Sequence, residues 1–253
     1  MFRDKIFSEA ARQLACDYNC SAADFDRSDG RASLAVKADG QRRFTEKPIF
    51  FRAATFGKNA VISCAEEVLP FAEDIKSMGV TLFDGKGISA VNSALAPYGQ
   101  HIGLISQYYL PKTPYSPLDS GGYHIELFNE RDITEQIYPY YQGYENALMY
   151  HGGPRRDMLA VCALSGNIIL GMAGASNDSD TFWQIGIDVI PEYRGHGLAP
   201  ILVSILANEV FRQGAIPYYG TWPGNISSQK TALNSGFVPA WTEIQSLPKG
   251  GTQ

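Results

Sequence analysis

The sequence lacks the features that would assign it to several large classes of protein. No apolar run approaches the ~20 residues of a membrane-spanning helix, and the opening MFRDKIFSEA has no apolar signal core. Four cysteines occur without a CxxC or paired-histidine motif, and Cys16 and Cys20 could bind a metal only with ligands that no motif supplies. We therefore expect no metal site, no membrane partner and buried free thiols in a reducing cytoplasm.

The sequence also has no excess of basic residues; acidic residues outnumber them. The chain has 253 residues, 45% of them hydrophobic and 19% charged, and a formal net charge of -5 at pH 7. This composition is typical of a globular protein with one large or two modest domains. The negative charge argues against nucleic acid as the partner, because phosphate backbones select basic surfaces, and it slightly favours a cationic substrate.

The segment 110–122, LPKTPYSPLDSGG, divides the chain almost in half. Its prolines and paired glycines are typical of an extended linker. We therefore predict an N-terminal domain over residues 1–115, of unassigned role, and a second domain over residues 121–253.

Hydrophobic periodicity predicts the elements of both halves. In the first half we expect helices over 7–18, 66–78 and 88–96, a hairpin of strands 49–55 and 59–64, and a strand over 101–109. In the second half we expect strands over 123–128, 158–164, 168–175, 182–189, 216–222 and 238–244, with helices starting at residues 129, 198 and 225. This order predicts a mixed α/β (α+β) fold with helices on a sheet, preceded by a smaller α/β domain.

The stretch IDVIPEYRGHGLAP, residues 187–200, is the most informative one. Gly195 and Gly197 lie between an apolar strand and a helix of period 3.6, where unpaired N–H groups and the helix dipole stabilise an anion. A dinucleotide turn is excluded because Pro200 replaces the third glycine and no acid follows some twenty residues later. Gly85-Lys86-Gly87 likewise fails the P-loop pattern and is predicted to be a plain turn.

Two linked motifs resemble those of the GNAT superfamily of N-acyltransferases. The first matches its Q/R-x-x-G-x-G/A core at Arg194, Gly197 and Ala199, with Gly195 as a frequent extra glycine. The second, N-x-x-[AS]…G-F, matches at Asn225, Ser228 and Gly236-Phe237. The resemblance covers about residues 121–253. The arrangement of the whole chain, with another domain before this one, also resembles a bacterial subgroup of GNAT acetyltransferases. The GNAT resemblance implies a mostly antiparallel sheet flanked by helices.

The resemblance implies acetyl-CoA as co-substrate. Its pyrophosphate would be held by main-chain N–H groups of the glycine turn, its pantetheine arm by the preceding strand and Asn225. The implied cofactor-binding residues are Val189, Ile190, Arg194, Gly195, His196, Gly197, Leu198, Ala199, Asn225 and Ser228. Of His196, the main-chain N–H rather than the ring is expected to matter.

The chain departs from the family at the usual catalytic positions. Ala232 stands where many members have a tyrosine as general acid, and Trp183 and Gln184 stand where many have a glutamate. Candidate bases are Glu126, Asp188 and Glu145; candidate acids are Tyr218, Tyr219 and Ser228. Each also has an interpretation as an ordinary structural residue.

The acceptor is expected to be a small amine that attacks the thioester directly. The family's first helices would place the tyrosine-rich stretch 137–151 at the acceptor, with Tyr141, Tyr144 and Glu145 as substrate-binding residues, although these tyrosines could equally pack the two halves together. The missing tyrosine and glutamate leave open a second function, a non-catalytic acyl-CoA-binding or interaction module. The sequence does not indicate an oligomeric state.

Overall fold

In the computed structural model, which describes residues 4–139, 142–149 and 153–250, the chain divides into two units. The first unit comprises Met1–Tyr108 with Ala240–Gln253, and the second unit comprises Tyr109–Pro239. The division predicted from the sequence, 1–115 and 121–253, remains a prediction about independent domains. It did not foresee that the last residues return to the first unit, which they do because Thr242–Gln245 pair antiparallel with residues 52–55.

The first unit contains helices on a small mixed sheet. Its elements are α1 (Lys5–Asp17), β1 (Arg31–Leu34), β2 (Phe51–Thr55), β3 (Val61–Cys64), α2 (Leu69–Ile75), α3 (Gly85–Leu95), β4 (Gln100–Pro111) and the last residues of β10 (Phe237–Pro248). The strand order is β1-β3-β2-β10, with β1 parallel to β3 and the other two pairs antiparallel. The predicted hairpin, the helix 7–18 and the strand 101–109 are thus present within a few residues.

Three predictions for the first unit were wrong in detail. The predicted helix 66–78 is a 3₁₀ turn Glu66–Val68, then α2, then a kinked 3₁₀ segment in which Gly79 has φ 59°. The Gly85-Lys86-Gly87 turn is instead the first turn of α3, because the Asp84 carboxylate accepts hydrogen bonds from the N–H groups of Lys86 and Gly87. Strand β1 was not predicted.

A buried ionic cluster holds the irregular residues 35–50 in the first unit. The Arg42 guanidinium lies between the carboxylates of Asp17 and Glu243, and its Nη2 is 2.7 Å from Glu243 Oε1. Glu243 also accepts a hydrogen bond of 2.6 Å from the Trp241 indole. Because a buried charge is tolerated only when it is paired, loss of one partner would destabilise this cluster strongly.

The second unit is an antiparallel meander followed by a helix, a parallel strand and a helix. Its elements are β5 (His124–Asn129), α4 (Glu130–Asp132, continued by a π turn Ile133–Ile137), β6 (Asp157–Ser165), β7 (Ile168–Ser176), β8 (Phe182–Val189), α5 (Leu198–Arg212), β9 (Ile216–Thr221) and α6 (Ile226–Asn234). The strand order is β9-β8-β7-β6-β5, in which only the β8–β9 pair is parallel. The predicted fold class, a mostly antiparallel mixed sheet flanked by helices, is confirmed.

Two apolar clusters cover opposite faces of this sheet. On the α5 face, Leu202, Leu206 and Val210 of α5 pack on alternate strand residues that include Val161 and Ile185. On the other face, Ile133 and Ile137 pack with Ala147, Leu148 and Met172. Since Ala147 and Leu148 belong to residues 142–149, we refer to the two faces as the α5 face and the loop face.

The segment predicted to be a linker is packed against the second unit. The Tyr115 ring packs at a tilt against Phe211 and edge-on against Phe237, and its hydroxyl donates a hydrogen bond of 2.7 Å to the Ser235 carbonyl. Burial raises the pKa of Tyr115, because the charged phenolate would lose its hydration. The prolines therefore make an extended segment that is fixed in place rather than a free tether.

Candidate functional site

A cleft opens in the second unit where two parallel strands separate. The β8–β9 register runs from Phe182↔Ile216 to Ile185↔Tyr219 and stops there, although β8 continues to Val189 and β9 to Thr221. The resulting cavity has a volume of about 940 Å³ and is lined by the end of β8, the glycine turn, the start of α6 and residues of the loop face. The resemblance implied that the pantetheine arm binds to the strand before the glycine turn, which is β8.

The glycine turn forms one end of the cleft. Gly195 and Gly197 have φ of 80° and 81°, the left-handed region that residues with a Cβ rarely adopt. Gly197 is the N-cap of α5 without a side-chain cap, and Pro200 has no N–H, so the first turn offers the N–H groups of Leu198 and Ala199 to a ligand. Open space lies beside both glycines, which leaves room for an anion at the helix start.

The exposed edge of β8 forms the side wall. Ile190 donates its N–H to the Leu170 carbonyl on β7, so Val189, the residue before it, directs its main chain to the opposite, unpaired edge. The Val189 carbonyl accepts a hydrogen bond of 2.8 Å from Arg194 Nε. Val189 N–H and the main chain of Ile187 remain available along this edge to an extended ligand.

The start of α6 faces this edge. Asn225 caps the helix through its Oδ1, which accepts from Ser228 N–H at 3.1 Å, so the Nδ2 hydrogens are what it can offer to the cleft. The hydroxyls of Tyr219 and Ser228 lie 2.8 Å apart. Tyr219 is 2% exposed, and burial raises its pKa, partly offset by the hydrogen bond with Ser228. Its phenol therefore stays protonated at neutral pH.

Two carboxylates on the loop face fix residues 142–149 to the sheet. Asp188 accepts hydrogen bonds from the N–H groups of Asn146 and Ala147 at 2.8 and 2.9 Å and from Asn146 Nδ2 at 2.7 Å. Asp157 accepts from Met149 N–H and from the Tyr138 hydroxyl, both at 2.7 Å. These oxygens are occupied by donors, which makes both carboxylates anchors of the loop.

A polar network lies deeper on the loop face. The fully buried Asp178 carboxylate is 2.5 Å from Arg155 Nε and accepts hydrogen bonds from the hydroxyls of Ser176, at 3.0 Å, and Tyr218. Gln184 Oε1 accepts from Arg155 Nη2 at 3.1 Å. Gln184, which with Trp183 stands where the resemblance predicted the glutamate of many GNAT members, therefore belongs to a preorganised cluster rather than standing alone.

The cleft brings together most of the residues predicted for the cofactor. Those that line it are Val189, Arg194, Gly195, Gly197, Leu198, Ala199, Asn225 and Ser228. Ile190 and His196 are not among the lining residues; Ile190 packs on the α5-face core, and His196 is exposed.

Some of the residues predicted for catalysis and for acceptor binding line the cleft, and others do not. Asp188 and Tyr219 line the cleft, whereas Glu126 lies on β5 beside His124 and is not among the lining residues. Glu145 is exposed and its Oε1 accepts from Gly143 N–H at 3.0 Å. The Tyr144 hydroxyl donates to the Ile169 carbonyl at 2.7 Å, which makes it a packing residue. Glu126, Tyr144 and Glu145 are not among the residues that line the cleft, and their predicted roles stay predictions.

Tyr141 lies outside the described residues, as do Tyr140, Tyr150 and His151 of the same stretch. The cleft also contains residues that the sequence did not single out, namely Asn146, Arg155, Asp157, Ser176 and Trp222. They follow no motif and reach the cleft from separate loops and strands, so no local signal in the sequence marks them.

The comparisons with known proteins agree with this geometry. Residues 124–237 match the model of the acetyltransferase (GNAT) family, so this part of the chain is a GNAT acetyltransferase domain. GNAT acetyltransferases use acetyl-CoA as co-substrate, and the predicted co-substrate is confirmed at this level. The match supports acetyl-CoA-dependent acyl transfer by this part of the chain in general terms. A search of curated proteins gave no match.

Several solved structures resemble the chain at low identity. A GCN5-related N-acetyltransferase from Kribbella flavida is 13% identical, with a TM-score of 0.47 over 97% of this chain and 96% of that one. A Novosphingobium aromaticivorans protein assigned to the GNAT acetyltransferases is 19% identical, with a TM-score of 0.45 over 60% and 69%. A GNAT acetyltransferase from Colwellia psychrerythraea is 16% identical, with a TM-score of 0.42 over 61% and 60%.

Within residues 4–139, 142–149 and 153–250, no helix is both long and apolar enough to cross a membrane. In the same ranges no group of three or more His, Cys, Asp or Glu residues could hold a metal ion.

Proposed function

We propose that the protein transfers the acetyl group of acetyl-CoA to the amine of a small acceptor by direct attack on the thioester. The observation that carries this proposal is the cleft between β8 and β9, with the glycine turn at one end and the hydrogen-bonded Tyr219–Ser228 pair inside it. This arrangement provides an anion site, an exposed strand edge and a proton donor within one cavity.

The proposed binding mode assigns a separate part of acetyl-CoA to each wall. The pyrophosphate binds to the N–H groups of Gly195 to Ala199, where the dipole of the 15-residue helix α5 adds to the hydrogen bonds. The pantetheine arm lies along β8 as an added strand, with Asn225 Nδ2 as a further donor. The thioester then lies where the strands separate, near Val189.

In the proposed reaction the neutral amine attacks the thioester carbonyl, a new N–C bond forms and the C–S bond breaks. The Val189 N–H stabilises the negative charge that develops on the carbonyl oxygen. The Tyr219 phenol donates its proton to the leaving thiolate and recovers one through Ser228 from the proton released by the amine to solvent. Tyr219, on strand β9, thus takes the role of the general-acid tyrosine that many family members have at the position of Ala232 on α6.

Asp188 and Asp157 are positioning residues in this proposal. Their oxygens hold residues 142–149 against the sheet, and a carboxylate that already accepts several N–H bonds has little free capacity to take a proton from the amine. The amine therefore loses its proton to water in the open cleft rather than to a dedicated side chain. We also propose the cytoplasm as the compartment, because all four cysteines are free.

Binding and turnover test the proposal separately. Acetyl-CoA at 100 times its dissociation constant is expected to raise the free energy of unfolding by about 2.7 kcal/mol, whereas NAD has no effect. Release of free thiol with a panel of primary amines then reports acetyl transfer. Binding without thiol release across the panel would favour the non-catalytic acyl-CoA-binding function, and no stabilisation by acetyl-CoA would contradict both.

Removal of the Tyr219 hydroxyl tests the proton donor. Tyr219→Phe is expected to lower kcat by about 100-fold, within the range of general acid catalysis, and to leave the dissociation constant of acetyl-CoA unchanged. Since burial raises the pKa of Tyr219, the wild-type rate is expected not to fall with rising pH until the pH exceeds the ordinary tyrosine value of about 10. Ser228→Ala, which keeps the phenol, is the matched control and should lose less. An unchanged kcat in Tyr219→Phe would remove this residue from the mechanism.

A further inference from the structure

Gln184 lies on the loop face of the cleft. Along β8, Ile187 and Val189 pack against the α5-face core, so the alternating residues Gln184, Gly186 and Asp188 belong to the loop face. Gln184 lines the cleft there. Under the proposed function, the pyrophosphate and pantetheine occupy the glycine turn and the strand edge, which leaves the loop face to the acceptor.

The orientation of the Gln184 amide is fixed by its neighbours. Arg155 Nη2 lies 3.1 Å from Oε1, and a guanidinium has only donors, so the oxygen and not the NH2 group must face it. Arg155 is itself held by Asp178 at 2.5 Å and by Ser176 Oγ at 3.3 Å. The Tyr218 hydroxyl, which donates to Asp178, adds a contact of 3.2 Å to the same oxygen.

The Nε2 group of Gln184 is therefore directed away from Arg155. Among the described residues, the hydrogen bonds of the Gln184 side chain are the two that its Oε1 accepts, from Arg155 and Tyr218. A donor fixed in this way in a partly buried cleft favours a ligand that supplies an oxygen acceptor, and it disfavours an analogue that lacks one.

The charges on the loop face limit what kind of acceptor oxygen a ligand can present to Gln184 Nε2. The single cation Arg155 is neutralised by the buried Asp178, and Asp157 and Asp188 add two more carboxylates among the described lining residues. Their field attracts the ammonium form of an arriving amine and repels a second carboxylate. A neutral carbonyl oxygen satisfies both conditions.

We infer that Gln184 determines acceptor specificity, and that the acceptor is a primary amine with a neutral carbonyl oxygen close to the amine, as in an amino-acid amide or a peptide N-terminus. A free amino acid or a simple alkylamine is a poorer acceptor. This inference rests on the proposed function for the position of the acceptor.

The test compares glycinamide, glycine and propylamine with wild type and Gln184→Glu. The glutamate keeps an oxygen toward Arg155 and Tyr218 but replaces the NH2 donor by a second acceptor oxygen. We expect wild type to prefer glycinamide in kcat/KM, and Gln184→Glu to lower the ratio of glycinamide to propylamine at least tenfold. Gln184→Met, which removes the donor without adding charge, should lower it in the same direction, and Gln213→Glu, the same change on the exposed end of α5, should not.

Calorimetric binding of the three amines to the CoA-saturated protein separates this inference from the proposed function. Tighter binding of glycinamide that depends on Gln184 supports the inference even if no thiol is released. Turnover of amines with equal kcat/KM for glycinamide and propylamine overturns it while the proposed function stands. Absence of glycinamide binding to wild type also overturns it.

Discussion

Gly197→Asp is expected to weaken acetyl-CoA binding by about 100-fold relative to Gly197→Asn. Gly197 has φ 81°, a conformation that Asn and Asp adopt more readily than other residues with a Cβ, and no atom within 4 Å would contact the added Cβ. The two side chains have the same shape and both are good N-caps for α5. They differ in one negative charge at the proposed pyrophosphate site.

The magnitude follows from the distance between the charges. Two like charges about 5 Å apart at an effective dielectric constant of about 20 repel by about 3 kcal/mol, which is a factor of about 100 in a dissociation constant. The thermal midpoint without ligand should be the same or slightly higher in Gly197→Asp, since an acid at a helix start is favourable. Titration calorimetry of both variants makes the measurement, and equal dissociation constants would place the phosphates elsewhere.

Gly186→Ala is expected to lower the thermal midpoint by about 6–12 °C, which corresponds to about 3 kcal/mol in a chain of this size. A Cβ on Gly186 would lie 1.7 Å from the Asn146 carbonyl oxygen, and a Cβ on its strand neighbour Gly174 would lie 2.0 Å from the Ala147 carbonyl oxygen. These are main-chain atoms of two residues whose N–H groups Asp188 holds in place. The loop must therefore move away from the sheet to admit the methyl group.

The change should affect the acceptor and not the cofactor. In Gly186→Ala we expect thiol release to fall while acetyl-CoA affinity is preserved, because residues 142–149 lie on the loop face. Gly171→Ala is the matched control on β7; its Cβ would meet the Val189 and Leu202 side chains at 3.0 and 3.1 Å, which can shift, and the Asp188 carbonyl oxygen at 3.2 Å, far less close than the 1.7 Å at Gly186. A Gly186→Ala protein with an unchanged midpoint and intact hydrogen-exchange protection at Ala147 would contradict this close packing.

The elements of the second unit could be predicted because their patterns are local. Strand β8 was predicted with the observed bounds, Phe182–Val189, and Asn225 and Gly236 mark the ends of α6 in the sequence itself. Strand β1 has four residues and exists only because it pairs in parallel with β3, some thirty residues later. A short strand of this kind has no signal of its own.

The cofactor half and the acceptor half of the site also differ in whether consecutive residues or distant ones form them. The anion-binding turn is set by the glycines and the helix that follows, so its chemistry is visible in a few consecutive residues. The acceptor half depends on Gln184 and its two hydrogen-bond partners. Arg155 precedes Gln184 by 29 positions, and Tyr218 follows it by 34. Glu126 and Glu145 were plausible by residue type, but the sequence does not show that β5 and an exposed turn keep them away from the cleft.

The return of β10 to β2 has a consequence for synthesis on the ribosome. Residues 109–239 form a continuous unit that can fold as soon as they emerge, whereas the unit containing the first residues waits for Thr242–Gln245 to complete its sheet. Nascent chains usually fold from the N-terminus, and here the order is expected to be reversed. Until residues 242–245 emerge, β2 presents an unpaired edge that other chains could bind, so the interval is one in which a chaperone would be of use.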